Sequence, residues 1–281
     1  MHSTFISLQC SIPEEFQDLF IGYISNMNFS GIEQSHDTLS ILFEDIHYSQ
    51  DIPSRLTELA ETMSIPFEII SNDSIKHKNW NKEWEDSLEP VIVNDDIAIT
   101  PEWKLNEVDK PITIIINPQM AFGTGYHPTT RMVCRELQRY VQSNSTWIDA
   151  GCGSGVLAIL ASKLGAKKVS AFDNDEWSVT NARENALLNN ESDIDVFQAD
   201  IFTVELDTAN GIAANMYRNL IIPNLHKFHT SLSKNNGILI VSGILAMDAE
   251  EIRNEAISKR FTHIETQQEG DWVAIIFRAD A

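Results

Sequence analysis

The sequence predicts an α/β protein, a Rossmann-like seven-stranded domain preceded by a small ferredoxin-like α+β domain, on three observations. Residues 146–174, TWIDAGCGSGVLAILASKLGAKKVSAFDN, read as a strand, turn, helix, strand unit with an acidic end. Short apolar runs downstream alternate with helical patterns, as in a sheet flanked by helices. Upstream, residues 1–71 carry the order strand, helix, strand, strand, helix, strand.

In chain order, a strand is expected at 5–8 and a helix at 13–24, with Pro13 in its first turn and Phe16, Leu19, Phe20 and Tyr23 on one face. Two strands at 31–33 and 38–43 follow, then a helix at 53–63 turning Leu56, Leu59 and Ala60 inward, and a strand at 66–70. This domain, residues 1–71, holds no chemical motif and reads as a substrate-recognition module. Residues 72–88 are polar and read as a linker, and residues 89–281 form the catalytic domain. Trp80, Trp84 and Trp103 either fill the junction or pack a ligand.

Strands at 89–93, 98–100 and 112–116 lead into the loop NPQMAFGTGYHPTT. Pro128 opens a helix to about residue 141, which aims its first amides and Thr130 at the glycine turn. His127 is either its N-cap or a base. After Asp173 come a helix to residue 190, strands at 195–198 and 211–215, a helix from 220, a strand at 238–241 and a helix from 248. A hairpin around Glu269-Gly270-Asp271 closes the sheet, its strand 272–277 inserting antiparallel at the edge.

The ligand follows from the turn. A dinucleotide site wants G-x-G-x-x-G, so that a pyrophosphate sits on the helix N-terminus. Here the spacing is Gly151-Cys152-Gly153-Ser154-Gly155, with Val156 at the third glycine position and Asp149 just before the turn. A carboxylate there repels a pyrophosphate and suits a cationic amino-acid ligand, while Asp173 suits two ribose hydroxyls. The ribose-bearing, phosphate-free cation is S-adenosylmethionine, which makes the domain a class I methyltransferase. A nicotinamide site and a turn used only for packing are the competing readings. Phe122, Gly123 and Thr124 belong to a loop able to close over the adenine or methionine part. Asp200 follows strand 195–198, where class I methyltransferases place a polar residue against the adenine amine.

Charge narrows the partner. With 41 acidic and 20 basic residues the formal charge is −21, which argues against stable nucleic-acid binding. Residues 1–75 hold 12 Asp or Glu against one basic residue, Arg55, a net −11 that would attract a basic macromolecule. The composition, 43% hydrophobic and 22% charged, is that of a globular chain. No apolar run approaches a membrane span and no basic-then-apolar leader opens the chain, so a cytoplasmic location is expected; the separate expectation for oligomeric state is a monomer. Cys10, Cys134 and Cys152 show neither metal-ligand nor disulfide spacing.

At AFGTGYHPTT paired with DAGCGSGVLAILASKLGA the chain resembles the methyltransferases of ribosomal large-subunit protein eleven, the PrmA family, along essentially its whole length. The resemblance implies S-adenosylmethionine-dependent methylation of a basic ribosomal large-subunit protein, on lysine side chains and the N-terminal α-amine, with the small domain holding the substrate. It implies cofactor contacts at Thr130, Gly151, Asp173 and Asn215. Three positions depart from the family pattern: Asn117 for Asp before Pro118, Tyr126 for Thr, and Asn215-Met216-Tyr217-Arg218 for Asn-Ile-Leu-Ala. Asn215 is also the residue expected to orient the amine. Methylation of protein glutamine or nucleic-acid base amines, and a non-catalytic cofactor-binding assembly factor, stay open as alternatives.

Overall fold

The computed structural model describes residues 4–25, 27–76, 88–117 and 122–281. The chain divides into two compact units, Met1–Asp86 and Ser87–Ala281.

The first unit runs β1 (Thr4–Ser11), α1 (Glu14–Ile24), β2 (Gly31–Ser35), β3 (Thr38–Glu44), α2 (Ile52–Thr62), β4 (Glu68–Lys76). Its sheet is antiparallel in the order β2-β3-β1-β4, the ferredoxin-like arrangement. Strand alternation on β3 buries Leu39, Ile41 and Phe43, and these meet Phe20, Ile24, Leu56 and Ala60 of the helices in one core. Two details depart from expectation. The inward face of α1 is Gln17, Phe20 and Ile24, while Leu19 and Tyr23 are exposed. The helix is rotated so that Gln17 Nε2 donates to the carbonyls of Ile12, at 3.0 Å, and Ser35, at 2.7 Å. The fourth strand runs to Lys76, five residues into the expected linker. Asn72, Asp73 and Ser74 pair with Leu8, Ser7 and Ile6 on β1, and an edge strand pairs through backbone groups whatever its side chains. Residues 77–87 of that linker, with Trp80 and Trp84, lie outside the described residues. Trp103 is 47% exposed.

The second unit starts with a three-stranded sheet, β5 (Val91–Ile92), β6 (Ile97–Pro101) and β7 (Ile112–Ile116), in which β5 and β6 are antiparallel and β6 and β7 parallel. Then come α3 (Pro128–Tyr140), β8 (Thr146–Ala150), α4 (Val156–Lys163), β9 (Lys168–Asp173), α5 (Glu176–Leu188) and β10 (Asp195–Gln198). The chain ends with β11 (Gly211–Asn215), α6 (Arg218–Leu232), β12 (Ile238–Leu245), α7 (Ala249–Ser258), β13 (Phe261–Glu269) and β14 (Trp272–Ala279).

The large sheet has the order β10-β9-β8-β11-β12-β14-β13, with β8 to β12 parallel and β14 antiparallel to both neighbours. One face packs a core that includes Val133, Leu137, Leu157, Leu160, Val179 and Ala182, together with Ile97, Ile99 and Ile114 of the small sheet. The other packs Ile221, Leu225, Phe228 and Ile252 of α6 and α7. Strand order reverses between β8 and β11, so their carboxyl ends open a crevice. On the next layer in, Gly211 pairs with Trp147, and a Cβ at 211 would fall 2.4 Å from the indole ring.

Candidate active site

The glycine turn between β8 and α4 is left-handed three times over: φ is +73° at Gly151, +51° at Gly153 and +81° at Gly155. Gly153 also has a close neighbour, since a Cβ there would lie 2.4 Å from the Phe122 carbonyl oxygen. Gly151 and Cys152 N–H donate to the Phe172 carbonyl at 2.9 and 3.0 Å, and Ser154 N–H donates to the Phe122 carbonyl at 2.8 Å. The turn is thus held between the end of β9 and the loop that precedes α3.

Around it lies a cavity of 470 Å³, within the size range of small-ligand sites. Gly151, Gly153 and Asp173 line it from the turn and β9; Phe122, Gly123 and Thr130 from the loop and α3; Asp200 and Asn215 from beyond β10 and at the end of β11. Thr124 and Asp149, which the sequence also placed at the site, do not line the wall. Asp149 is 2% exposed and sits beneath the turn, where Oδ2 accepts the Ala158 N–H at 3.0 Å in the first turn of α4. A strand residue two before the first glycine points under the helix N-terminus, so this carboxylate serves the orphan amides of α4. Burial pushes its pKa up to about 7, against the Ala158 hydrogen bond and with the help of the neighbouring Asp173 charge.

Asp173 is differently placed. Its Oδ2 accepts Gly153 N–H at 3.0 Å and its Oδ1 accepts Asp175 N–H at 3.1 Å, which fixes the carboxylate on the cavity wall. Asp200 is fixed likewise, Oδ1 accepting Phe202 N–H at 2.8 Å. His127 is the N-cap of α3: Nδ1 lies 2.7 Å from Thr129 Oγ1 and accepts Thr129 N–H at 3.4 Å, while its ring meets Trp272 edge-on at 4.5 Å. Burial, then the Arg131 charge, lowers its pKa. Arg131 itself donates to the carbonyls of Gly125 and Tyr126 and pairs with Glu269, fastening the loop to the β13–β14 hairpin.

Among the described residues, four buried side-chain atoms lack a hydrogen-bond partner: Thr130 Oγ1, Asp149 Oδ1, Ser154 Oγ and Asn215 Oδ1. An unpaired buried acceptor or hydroxyl costs about 1–3 kcal/mol, and two of the four, Thr130 Oγ1 and Asn215 Oδ1, belong to residues that line the cavity, which marks it as a site shaped for a ligand. S-adenosylmethionine fits this set. Asp173 and Asp200 suit hydroxyl and amine donors, the glycines let a ligand approach backbone N–H groups, and Thr130 and Asn215 offer unused oxygens.

Sequence reasoning gave no place at the wall to Trp272 or Leu220, and singled out Met216 and Tyr217 only as a departure from the family pattern. Trp272 begins β14, which is paired on both sides, and carries no pattern that marks it. Met216, Tyr217 and Leu220 follow Asn215 on the wall, whereas Arg218 turns to Asp248 and Glu251 at 3.3 and 2.7 Å and does not line the cavity. Tyr126 donates its hydroxyl to the Glu89 carbonyl. Asn181 and Asn185 on α5 and Asn189 at its C-cap are buried supports of β7 and the start of the loop, and their four-residue spacing was the available signal.

A family model described as ribosomal protein L11 methyltransferase (PrmA) matches residues 23–280. A ribosomal protein L11 methyltransferase of Porphyromonas gingivalis is 33% identical over 272 residues, 95% of this chain and 92% of that one. One from Campylobacter lari is 31% identical, covering 100% and 99%. One from Acetivibrio thermocellus is 37% identical over 72% of this chain and 64% of its own length. Among solved structures, the ribosomal protein L11 methylase of Lactobacillus delbrueckii subsp. bulgaricus aligns with TM-score 0.64 and 28% identity, over 69% of this chain and all of that one. The chain belongs to the ribosomal protein L11 methyltransferase family, class I enzymes whose methyl donor is S-adenosylmethionine.

Proposed function

We propose that this member of the family methylates amines of ribosomal protein L11, on lysine side chains and on the N-terminal α-amine, with the Met1–Asp86 unit docking the basic substrate. The observation that carries the reading is Asn215: a buried amide oxygen without a partner, on the wall of the cavity that Asp173 also lines. When bound, the donor supplies a methyl group on a sulfonium, already a good leaving group. The protein's part is alignment and an unprotonated nucleophile. A lysine of reference pKa about 10.4 needs about 4.6 kcal/mol to deprotonate at pH 7, an α-amine of about 7.7 only about 1 kcal/mol. Asn215 Oδ1 accepts an amine hydrogen and turns the lone pair toward the methyl group. Phe122, Phe202 and Tyr217, exposed at the same wall, give the lysine stem an apolar surround that disfavours its charged form. No general base is required.

The docking proposal rests on charge. The one arginine of residues 1–75, Arg55, is already paired with Asp51 at 3.7 Å, so among the described residues the unit's surplus is acidic. The test is to incubate the protein with radiolabelled S-adenosylmethionine and, separately, free L11, assembled ribosomes, tRNA and DNA, and to map the label by mass spectrometry. Label on L11 amines supports the reading. Label on glutamine or nucleic acid replaces the acceptor, and donor binding with no label points to a non-catalytic role.

A further inference from the structure

The strand β7 is an edge strand, so the outward backbone groups of Ile115 and of Asn117 just beyond it need partners. α5 and its C-cap provide them with side chains. Asn189 Oδ1 accepts Ile115 N–H at 2.9 Å and Asn189 Nδ2 donates to the Ile115 carbonyl at 2.6 Å. One turn back, Asn185 Oδ1 accepts Asn117 N–H at 2.7 Å, and one turn further Asn181 Nδ2 donates to the Asn117 carbonyl at 3.1 Å. Four helical residues rise about 6.0 Å and two strand residues about 6.6 Å. Three amides on one helix face therefore copy the spacing of a neighbouring strand.

Asn185, fully buried, has a second attachment. Its Nδ2 donates to the Ser154 carbonyl in the glycine turn at 2.8 Å, while Ser154 N–H donates to the Phe122 carbonyl at 2.8 Å. The loop is thereby tied at Asn117 to Asn185 and at Phe122 to Ser154, and Asn185 ties these two anchors to each other. Gly155 lets the helices close around this point, for a Cβ there would lie 3.0 Å from that of Ala182. None of the three asparagines lines the cavity, but Asn185 bonds Ser154, which stands beside Gly153 on the wall and holds the carbonyl of Phe122, also on the wall.

We propose that Asn185 is a positioning residue for the methyl donor: it sets the loop and the glycine turn in register, and donor affinity depends on that bridge. The proposal rests on the cavity being the S-adenosylmethionine site and not on which amine is methylated. Asn185→Asp keeps an acceptor for Asn117 N–H but sets oxygen against the Ser154 carbonyl. The dissociation constant for S-adenosylmethionine, measured by calorimetry on the full chain, should rise about tenfold or more, as a buried unpaired acceptor implies, with turnover at saturating donor within about threefold. Amide exchange of Ser154 and Asn117 in the donor-free protein should quicken. Asn189→Asp makes the same change one turn away from the glycine turn and should lower Tm while leaving the dissociation constant within about twofold. Should Asn185→Asp fold poorly, Asn181→Ala, which loses the Asn117 carbonyl bond, should give an intermediate rise of about threefold. An unchanged constant in the folded variants, or an equal rise in Asn189→Asp, would overturn the proposal in favour of general packing. Since binding is the readout, a wrong methyl acceptor would leave this test untouched.

Discussion

The two walls of the cavity are finished to different degrees. On the wall of β9 and the glycine turn, the Asp173 carboxylate already holds two backbone N–H groups, and the turn is anchored to Phe172 and Phe122. On the wall of α3 and β11, which pack on each other, Thr130 Oγ1 and Asn215 Oδ1 are buried with nothing to bond. At the cavity surface the first wall is already hydrogen-bonded, although Ser154 Oγ and Asp149 Oδ1 behind it lack partners, and the second carries a cost that a ligand repays. That division suits the proposed transfer, in which one side would hold the donor and the other would complete itself around the reacting groups.

Four variants bear on this contrast. Asp173→Ala should have the largest effect, weakening donor binding at least about 100-fold by calorimetry, because the ligand loses an anionic partner and two N–H groups lose theirs. Retained affinity would show that the preorganised wall is not the donor's. Asn215→Ala should lower turnover with a protein amine about 100-fold while donor affinity falls about tenfold or less. The reverse split would move Asn215 to the gripping side, and unchanged turnover would remove its role. Gly153→Ala puts a methyl group 2.4 Å from the Phe122 oxygen at a left-handed φ, so the donor constant should rise about tenfold through a displaced loop. Asp149→Asn should be the mildest. Its carboxyl has a folded pKa of about 7, against a reference of 3.8, so the native state binds the extra proton between those values. Stability conferred by that proton is lost as pH rises from about 4 to 7, by several degrees of Tm, and is level above. The variant keeps an oxygen for Ala158 N–H but has no proton to lose, so the wild-type-minus-variant difference in Tm should fall across that window. A flat difference would contradict the burial argument.

The same contrast explains what could be read from residues alone. Gly151, Gly153 and Gly155, bracketed by periodic apolar runs and closed by Asp173, announce a left-handed turn because few other residues accept that φ. The interior strand expected at 211–215 coincides with β11 because its continuous apolar run is buried on both faces, and the edge strand expected at 195–198 coincides with β10, where only Val196 is fully buried. Partnering was less legible. Nothing in the spacing says that Asp149 points under α4 while Asp173 faces the cavity, since both end apolar strands. Nor does composition reveal that polar residues 72–76 continue β4, because the pairing is made by backbone. Thr124 belongs to the motif, but the alternating turns of a glycine-rich loop put Gly123 and not its neighbour on the wall. Trp272 was invisible because its role at the site comes from a strand some 120 residues beyond the glycine turn.

Gly211 and Trp147 carry a consequence for how this sequence can change over time. The indole occupies the space where any side chain at 211 would begin, so the two positions behave as a single volume shared between neighbouring strands. Substituting either alone means a clash or a void: a methyl group at 211 must expel the ring, and a smaller residue at 147 leaves a hollow that glycine cannot fill. Drift at this place is confined to paired exchanges, large for small on one strand and small for large on the next. Two residues that touch no ligand therefore form a barrier that a lineage crosses in two steps or not at all.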